Sequence, residues 1–185
     1  MEIKKYGIIY ADPPWRYEKN HGSGVAENHY PTMSIAEISA LQVGMIADKD
    51  CVLFLWTTFP QLDVAFEVIR AWGFCYKTAA FLWLKQTRAS RQWFFGMGNW
   101  TRGNAEICLL ATKGRPRRKS ACVHQFIISP LRGHSQKPEE AREKILELMG
   151  ELPRIELFAR EKTEGWDVWG NEVESDIYLE RMKEV

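Results

Sequence analysis

The amino-acid sequence predicts an α/β domain built around a largely parallel sheet, on three observations. Short runs rich in β-branched and aromatic residues recur at 6–11, 51–57, 76–84 and 106–112. The run at 51–57 is almost wholly apolar, as a strand covered on both faces must be. Between strands, residues 61–72 carry apolar side chains at 62, 65, 66, 69 and 72, the spacing of an amphipathic helix. Strands alternating with helices imply crossover connections and parallel pairing.

In chain order, Tyr6–Ala11 is expected to be the first strand, closed by two prolines that cannot continue a sheet. Residues 16–33 are too long and polar for an ordinary connection and form a lid candidate. Ser34-Ile-Ala-Glu37 is a capping box that opens a short helix. Gly73 stops the helix at 61–72. Residues 86–104 form a second long loop, and 124–129 are a further strand candidate. Pro138 suits the first helical position of 139–149, with Gly150 past its end. Residues 154–159 and 166–169 read as strands, and a charged helix is expected to close the chain.

At 185 residues and 45% hydrophobic, the chain fits one domain, with no separate target-recognition module expected. It has no 18-residue apolar run and no signal peptide at its start, so a cytoplasmic location is expected. Cys51, Cys75, Cys108 and Cys122 show no C-x-x-C pair, and three lie in apolar stretches, as buried free thiols would. The four histidines lack ligand spacing, and Cys122 with His124 has no further partner, so no metal site is expected. Residues 1–138 hold 18 Lys and Arg against 10 Asp and Glu, whereas 139–185 hold 7 against 14. That asymmetry suits one face addressing a polyanion, although an acidic C-terminal helix would skew the count in the same way.

The candidate chemistry begins where the first strand ends, at Asp12-Pro13-Pro14-Trp15. The prolines hold the backbone extended and present an acid, one or two free carbonyls and an indole. Those parts suit a planar amine. The exocyclic amine of a nucleobase is a poor nucleophile because its lone pair is delocalised into the ring. A carboxylate and the Pro13 carbonyl accepting its two hydrogens would free that lone pair, and the acid would stabilise the developing positive charge. Pro14 stiffens the loop, and Trp15 is expected to stack on the base or wall its pocket.

Further along, the chain carries His29-Tyr-Pro-Thr-Met33, Cys51-Val-Leu-Phe-Leu-Trp56, His134-Ser-Gln-Lys-Pro-Glu139, Ile155-Glu-Leu-Phe-Ala-Arg160 and Gly165-Trp-Asp-Val-Trp-Gly-Asn171. With Tyr10-Ala-Asp-Pro-Pro-Trp15, in this order, the set resembles the adenine N6-methyltransferases typified by the catalytic subunit of the eukaryotic mRNA adenosine methyltransferase. The resemblance runs from about Tyr6 to about Glu172. It implies a permuted Rossmann-like methyltransferase fold, with helices on both faces of the sheet and the catalytic strand first. It also implies S-adenosylmethionine as cofactor, with Asp12, Lys137, Phe158, Arg160, Asn171 and Glu172 as its contacts, Tyr30 at a lid position and Glu106 near the substrate pocket. Lys137 has a rationale of its own, since a cation at the positive end of a helix makes sense when both share an anion. Read alone, Phe158 fits a core, Arg160 a surface ion pair, Asn171 a turn and Glu106 a surface acid.

No G-x-G-x-x-G or G-x-x-x-x-G-K-[ST] loop is present, which leaves dinucleotide and triphosphate sites of the usual kinds unsupported. Lys113-Gly-Arg-Pro-Arg-Arg-Lys119 puts five cations in seven residues. Residues 85–102 interleave Lys85, Arg88, Arg91 and Arg102 with Trp93, Phe94, Phe95 and Trp100. Cations for phosphates and rings for unstacked bases fit a nucleic-acid channel, with Arg102, Arg115, Arg117 and Arg118 as contacts. Exposed rings equally fit a homodimer or heterodimer interface through the 85–104 loop. The expected activity is methylation of adenine N6 in nucleic acid, DNA before RNA. The alternative is a non-catalytic subunit of the same fold.

Overall fold

The computed structural model describes residues 3–16, 32–96, 98, 100–133 and 136–179. Seven strands form one sheet: β1 (Tyr6–Ala11), β2 (Ala47–Thr57), β3 (Cys75–Gln86), β4 (Ala105–Lys113), β5 (Phe126–Pro130), β6 (Arg154–Leu157) and β7 (Asp167–Trp169). Their spatial order is β5-β3-β4-β2-β1-β6-β7. β1 lies inside the sheet and pairs in parallel with β2 and β6, β6 with β7, and β3 with β5. β4 alone runs antiparallel to its neighbours β2 and β3. All six residues of β1 are buried, which explains its lack of polar alternation.

Helices cover both faces, as expected. On one face, α1 (Ile35–Ser39), α2 (Val43–Ile46) and α3 (Leu62–Ala71) bury Ile38, Val43, Ile46, Ala65, Val68 and Ile69 with Trp15 and Trp72. The capping box forms: the Glu37 N–H donates to Ser34 Oγ, and the Ser34 N–H to the Glu37 carboxylate. On the other face, α4 (Glu140–Met149) buries Ala141, Ile145 and Met149 against Tyr10, Phe54, Phe81 and Trp83.

Several expectations change. β2 starts at Ala47, four residues early, because exposed Asp48, Lys49 and Asp50 disguise its beginning. α2 is too short to show a period. The strand candidate at 124–129 forms as β5. No helix occurs in the described residues after α4, and 180–185, where the closing helix would extend, lie outside them. Only Cys51 and Cys108 are buried, because Cys75 opens β3 at its exposed end and Cys122 lies on a surface loop. Lid residues 17–31 also lie outside the described residues. Among the described residues no helix is long and apolar enough to cross a membrane.

Buried indoles find acceptors. Trp56 Nε1 donates to the Tyr10 hydroxyl at 2.7 Å, Trp15 Nε1 to the Trp56 carbonyl at 3.1 Å, and Trp83 Nε1 to the Ser129 carbonyl at 3.1 Å. Tyr10→Phe is therefore expected to cost about 1–3 kcal/mol in urea unfolding, since it leaves the Trp56 N–H buried without that partner. An unchanged midpoint and slope would show that the bond contributes nothing net.

Candidate active site

β1, β2 and β6 are parallel, so their C-terminal ends gather at one pole of the sheet. Asp12 follows β1 there, and Phe158 follows β6. Because β4 is antiparallel, its first residues reach the same pole, with Ile107 opposite Thr57 and Glu106 just before it. The end of β3 arrives beside them, with Trp83 opposite Glu106. Lys137 lies two residues before Glu139, the cap of α4. Residues scattered from 12 to 160 thus face one crevice.

The Asp12 loop is tied down on both sides. The Trp15 N–H donates to the Pro13 carbonyl at 2.9 Å, a γ-turn, and the Met33 N–H to the Pro14 carbonyl at 2.9 Å. The carbonyls expected to be free are therefore engaged, although each oxygen keeps a second lone pair. Trp15 is turned inward and nearly fully buried, held by its bond to the Trp56 carbonyl. Its ring walls and anchors the loop. It does not offer a free face for stacking.

Four charges of alternating sign cross the pole. Lys137 Nζ lies 2.6 Å from Asp12 Oδ2 and 3.3 Å from Glu106 Oε2, and Lys85 pairs with the other Glu106 oxygen. Lys137 is 9% exposed, Lys85 14% and Glu106 15%, while Asp12 keeps 26%. Burial raises the Asp12 carboxyl above its ordinary value, and Lys137 opposes that without cancelling it. Burial also pushes Glu106 up, but Lys137 and Lys85 outweigh it and leave its carboxyl lowered. Burial alone would lower the Lys137 ammonium, but Asp12 and Glu106 raise it.

Beside Asp12 a cavity of about 260 Å³ is lined by Lys137, Arg142, Arg160, Glu156, Glu161 and Phe158, with Gly133 and Gln136. Arg142 grips Glu156 with two bonds of 2.8 and 3.0 Å. Walls of both signs with one aromatic ring fit a zwitterion attached to an aromatic group, which is the chemistry of S-adenosylmethionine. Phe158 has φ 63°, a left-handed conformation costing a non-glycine residue about 1–2 kcal/mol. That bend sets its ring edge-on to Trp169 at 5.3 Å. Gly170 is required nearby, because a Cβ there would lie 2.1 Å from the Ala159 carbonyl.

The structure brings Asp12, Glu106, Lys137, Phe158 and Arg160 together. Glu172 lies 3.6 Å from Arg160 at the rim, and Asn171 is exposed beside it. Arg102 is exposed and sits over the Phe95 ring at 5.3 Å, in a loop at this pole. Tyr30 and His134 lie outside the described residues. Arg115, Arg117 and Arg118 are not brought to the crevice: β4 ends at Lys113 opposite Cys51, at the far pole. Lys85, expected among the channel cations for phosphates, is instead largely buried beside Glu106, and neither Arg142 nor Glu156 was expected in the site. An acid inside the buried stretch Ile155-Glu-Leu-Phe158 was the available signal.

Residues 6–172 match the MT-A70 family. The chain belongs to that family. A type II methyltransferase from a Mycoplasma species, M.MunI, is 36% identical over 92% of this chain and 78% of its own length. The human N(6)-adenosine-methyltransferase catalytic subunit METTL3 is 28% identical over 93% of this chain, and an MT-A70-like N(6)-adenosine-methyltransferase of Arabidopsis thaliana 29% over 91%. The chain spans 29% of the human protein and 24% of the Arabidopsis one. This MT-A70 member is a methyltransferase with a mixed α/β, mostly parallel sheet.

The lowered Glu106 carboxyl has a linkage consequence. It binds protons less readily folded than unfolded, so its contribution to stability is present above about pH 4.3 and lost as pH falls through its folded value. Glu106→Gln should flatten the acid limb of unfolding free energy against pH. An acid limb identical to wild type would show that the ion pairs do not hold Glu106 ionised.

Proposed function

We propose that this methyltransferase transfers a methyl group from S-adenosylmethionine to the exocyclic N6 amine of adenine in nucleic acid, with DNA favoured over RNA. The observation that carries the reading is the Asp12 carboxylate, fixed at the end of a buried strand and open to a cavity walled by both signs of charge. The preference for DNA rests on the type II methyltransferase being matched over 78% of its length, against 29% of the human adenosine methyltransferase. A cytoplasmic setting, bacterial or phage-infected, accompanies this reading.

When bound, S-adenosylmethionine supplies a methyl group made electrophilic by its sulfonium. Lys137, Phe158, Arg160, Asn171 and Glu172 are the residues proposed to hold it, with Asp12 at its edge. Asp12 and the spare lone pair of the Pro13 carbonyl accept the two amine hydrogens and draw the lone pair out of the ring. The Asp12 charge then stabilises the positive nitrogen, which becomes neutral by giving up one proton to Asp12, whose raised carboxyl suits it to take that proton. Glu106 offers Lys137 a second carboxylate, so Lys137 can turn away from Asp12 without losing an anion. Exposed Trp93, Phe95 and Trp100, with Arg88, Arg91 and Arg102, suit unstacked bases and phosphates leading to the crevice. A target in duplex has to be extruded first.

The test is methyl transfer by the purified chain, read by mass spectrometry of product nucleosides, which names both base and sugar. Incorporation at another atom overturns the proposal, and no incorporation into either polymer favours the non-catalytic subunit. Asp12→Ala should lower the rate on the order of 10²-fold or more in a chain that still folds cooperatively, with a melting temperature lowered by loss of the Lys137 pair. Asp12→Asn should retain a little activity, because its amide oxygen still accepts a hydrogen bond.

Cofactor placement is tested separately. S-adenosylmethionine should raise the melting temperature of the chain, and Lys137→Ala and Asn171→Ala should each reduce that rise. Calorimetric affinity of the double variant equal to wild type would move the cofactor elsewhere.

A further inference from the structure

The loop that ends β4 lies far from the crevice and is built rather than loose. Thr57 pairs with Ile107 at the catalytic pole and Cys51 with Lys113 at the other, which separates the two by about 20 Å at ~3.3 Å per residue. Gly114 turns the chain with φ +67°, where a Cβ would meet the Lys49 carbonyl at 2.0 Å. The Arg115 N–H donates to Asp50 Oδ1 at 2.7 Å, and Lys113 Nζ to the Gly44 carbonyl at 2.8 Å. At the other end, the Lys119 and Ser120 N–H groups share the Leu148 carbonyl at 2.7 and 3.3 Å.

Pinned at both ends, the loop exposes Arg115, Arg117, Arg118 and Lys119. Some surface cations elsewhere have acids: Lys4 has Asp167, Arg132 has Glu139, Lys162 has Asp176. Among the described residues no ion pair involves any of the four loop cations. The Asp50 carboxylate beside the loop is bound to the Arg115 backbone N–H rather than to a guanidinium, and concentrated positive charge without ion pairs repels itself and is relieved by an external polyanion.

We propose that this loop is a second nucleic-acid contact surface, which takes backbone phosphates without reading sequence and lies outside the substrate channel. It rests on the proposed function only in supposing that nucleic acid is the polymer the enzyme meets. Three arginines present forked donors that match phosphate oxygens. Lys113-Gly-Arg-Pro-Arg-Arg-Lys119 contains no aromatic ring or large aliphatic side chain, so it lacks the apolar anchor of a protein interface and the stacking platform of a base reader. The loop at 87–104 interleaves both kinds of side chain. The two surfaces therefore divide the work: one pole handles the target nucleotide, and the other holds the polymer.

A separation of about 20 Å corresponds to roughly six base pairs at ~3.4 Å each, so a short substrate does not reach both poles. The experiment compares wild type with the triple variant Arg115→Ala, Arg117→Ala, Arg118→Ala on two duplexes that carry the same target, one of about 40 base pairs and one of about 8 with the target at its centre, so that it extends only ~14 Å to either side. On the long duplex, the slope of log affinity against log salt should flatten by about 2–3 units, near 0.9 per lost contact. On the short duplex, KM and kcat for methyl transfer should be unchanged. Restoring the charges as lysines should restore most of the slope.

An equal loss on the short duplex would place the loop inside the substrate channel and overturn the proposal. An unchanged slope on the long duplex would also overturn it and leave an acidic protein as the fitting partner. The slope is measured without cofactor, so it stands whether or not the proposed methylation is observed.

Discussion

A buried chain of alternating charge, Asp12–Lys137–Glu106–Lys85, holds together the pole of the sheet that carries the crevice. Each member comes from a different segment: the end of β1, the approach to α4, the start of β4 and the end of β3. Desolvating two carboxylates and two ammonium groups costs several kcal/mol per ion, and only mutual pairing offsets it. Removing one member would leave a neighbour buried and uncompensated, so the four segments are held in register by electrostatic necessity. Asp12 is the most exposed of the four and lines the cavity, and it is the member whose carboxyl burial leaves raised. Lys137, Lys85 and Glu106 are the more buried members, while Asp12 keeps access to the cavity.

A second constraint runs from the core into the same loop. The Tyr10 hydroxyl receives the Trp56 indole, and the Trp56 carbonyl receives the Trp15 indole. This ladder ties β1 to β2 and then to the Asp-Pro-Pro-Trp turn, so the position of Asp12 is inherited from buried aromatic packing. The γ-turn at Pro13 and the bridge between Trp15 and Met33 complete the fixation. In the proposed reaction Asp12 has to meet an amine with correct geometry, and support of this kind serves that, because misplacement of about 1 Å can cost 10²-fold in rate.

The sheet was legible where burial left unmixed apolar runs, as in β1 and the second half of β2, and where a cap and a stop bracket an amphipathic helix, as in α3. It was not legible at the start of β2, where Asp48, Lys49 and Asp50 read as a loop, or in α2, which is shorter than a helical period. Asp12 and Lys137 could be singled out because each sits at a chemically odd position beside prolines. Arg142 looked like an ordinary helix-surface cation, since its partner Glu156 lies 14 residues away on another element. The basic loop was misplaced for a topological reason: nothing in a strand's composition tells whether it runs up or down the sheet. The orientation of β4 decides which of its ends faces the crevice.

That orientation also sets the electrical relation between the two poles. At physiological ionic strength the Debye length is about 8 Å, so counterions gathered around the exposed far-pole cations screen them well within the about 20 Å to the crevice. Arg115, Arg117 and Arg118 therefore leave the ionisation of Asp12 and Lys137 essentially untouched. Charge at the far pole is free to vary, by substitution or by the salt of the medium, without retuning the buried ion chain.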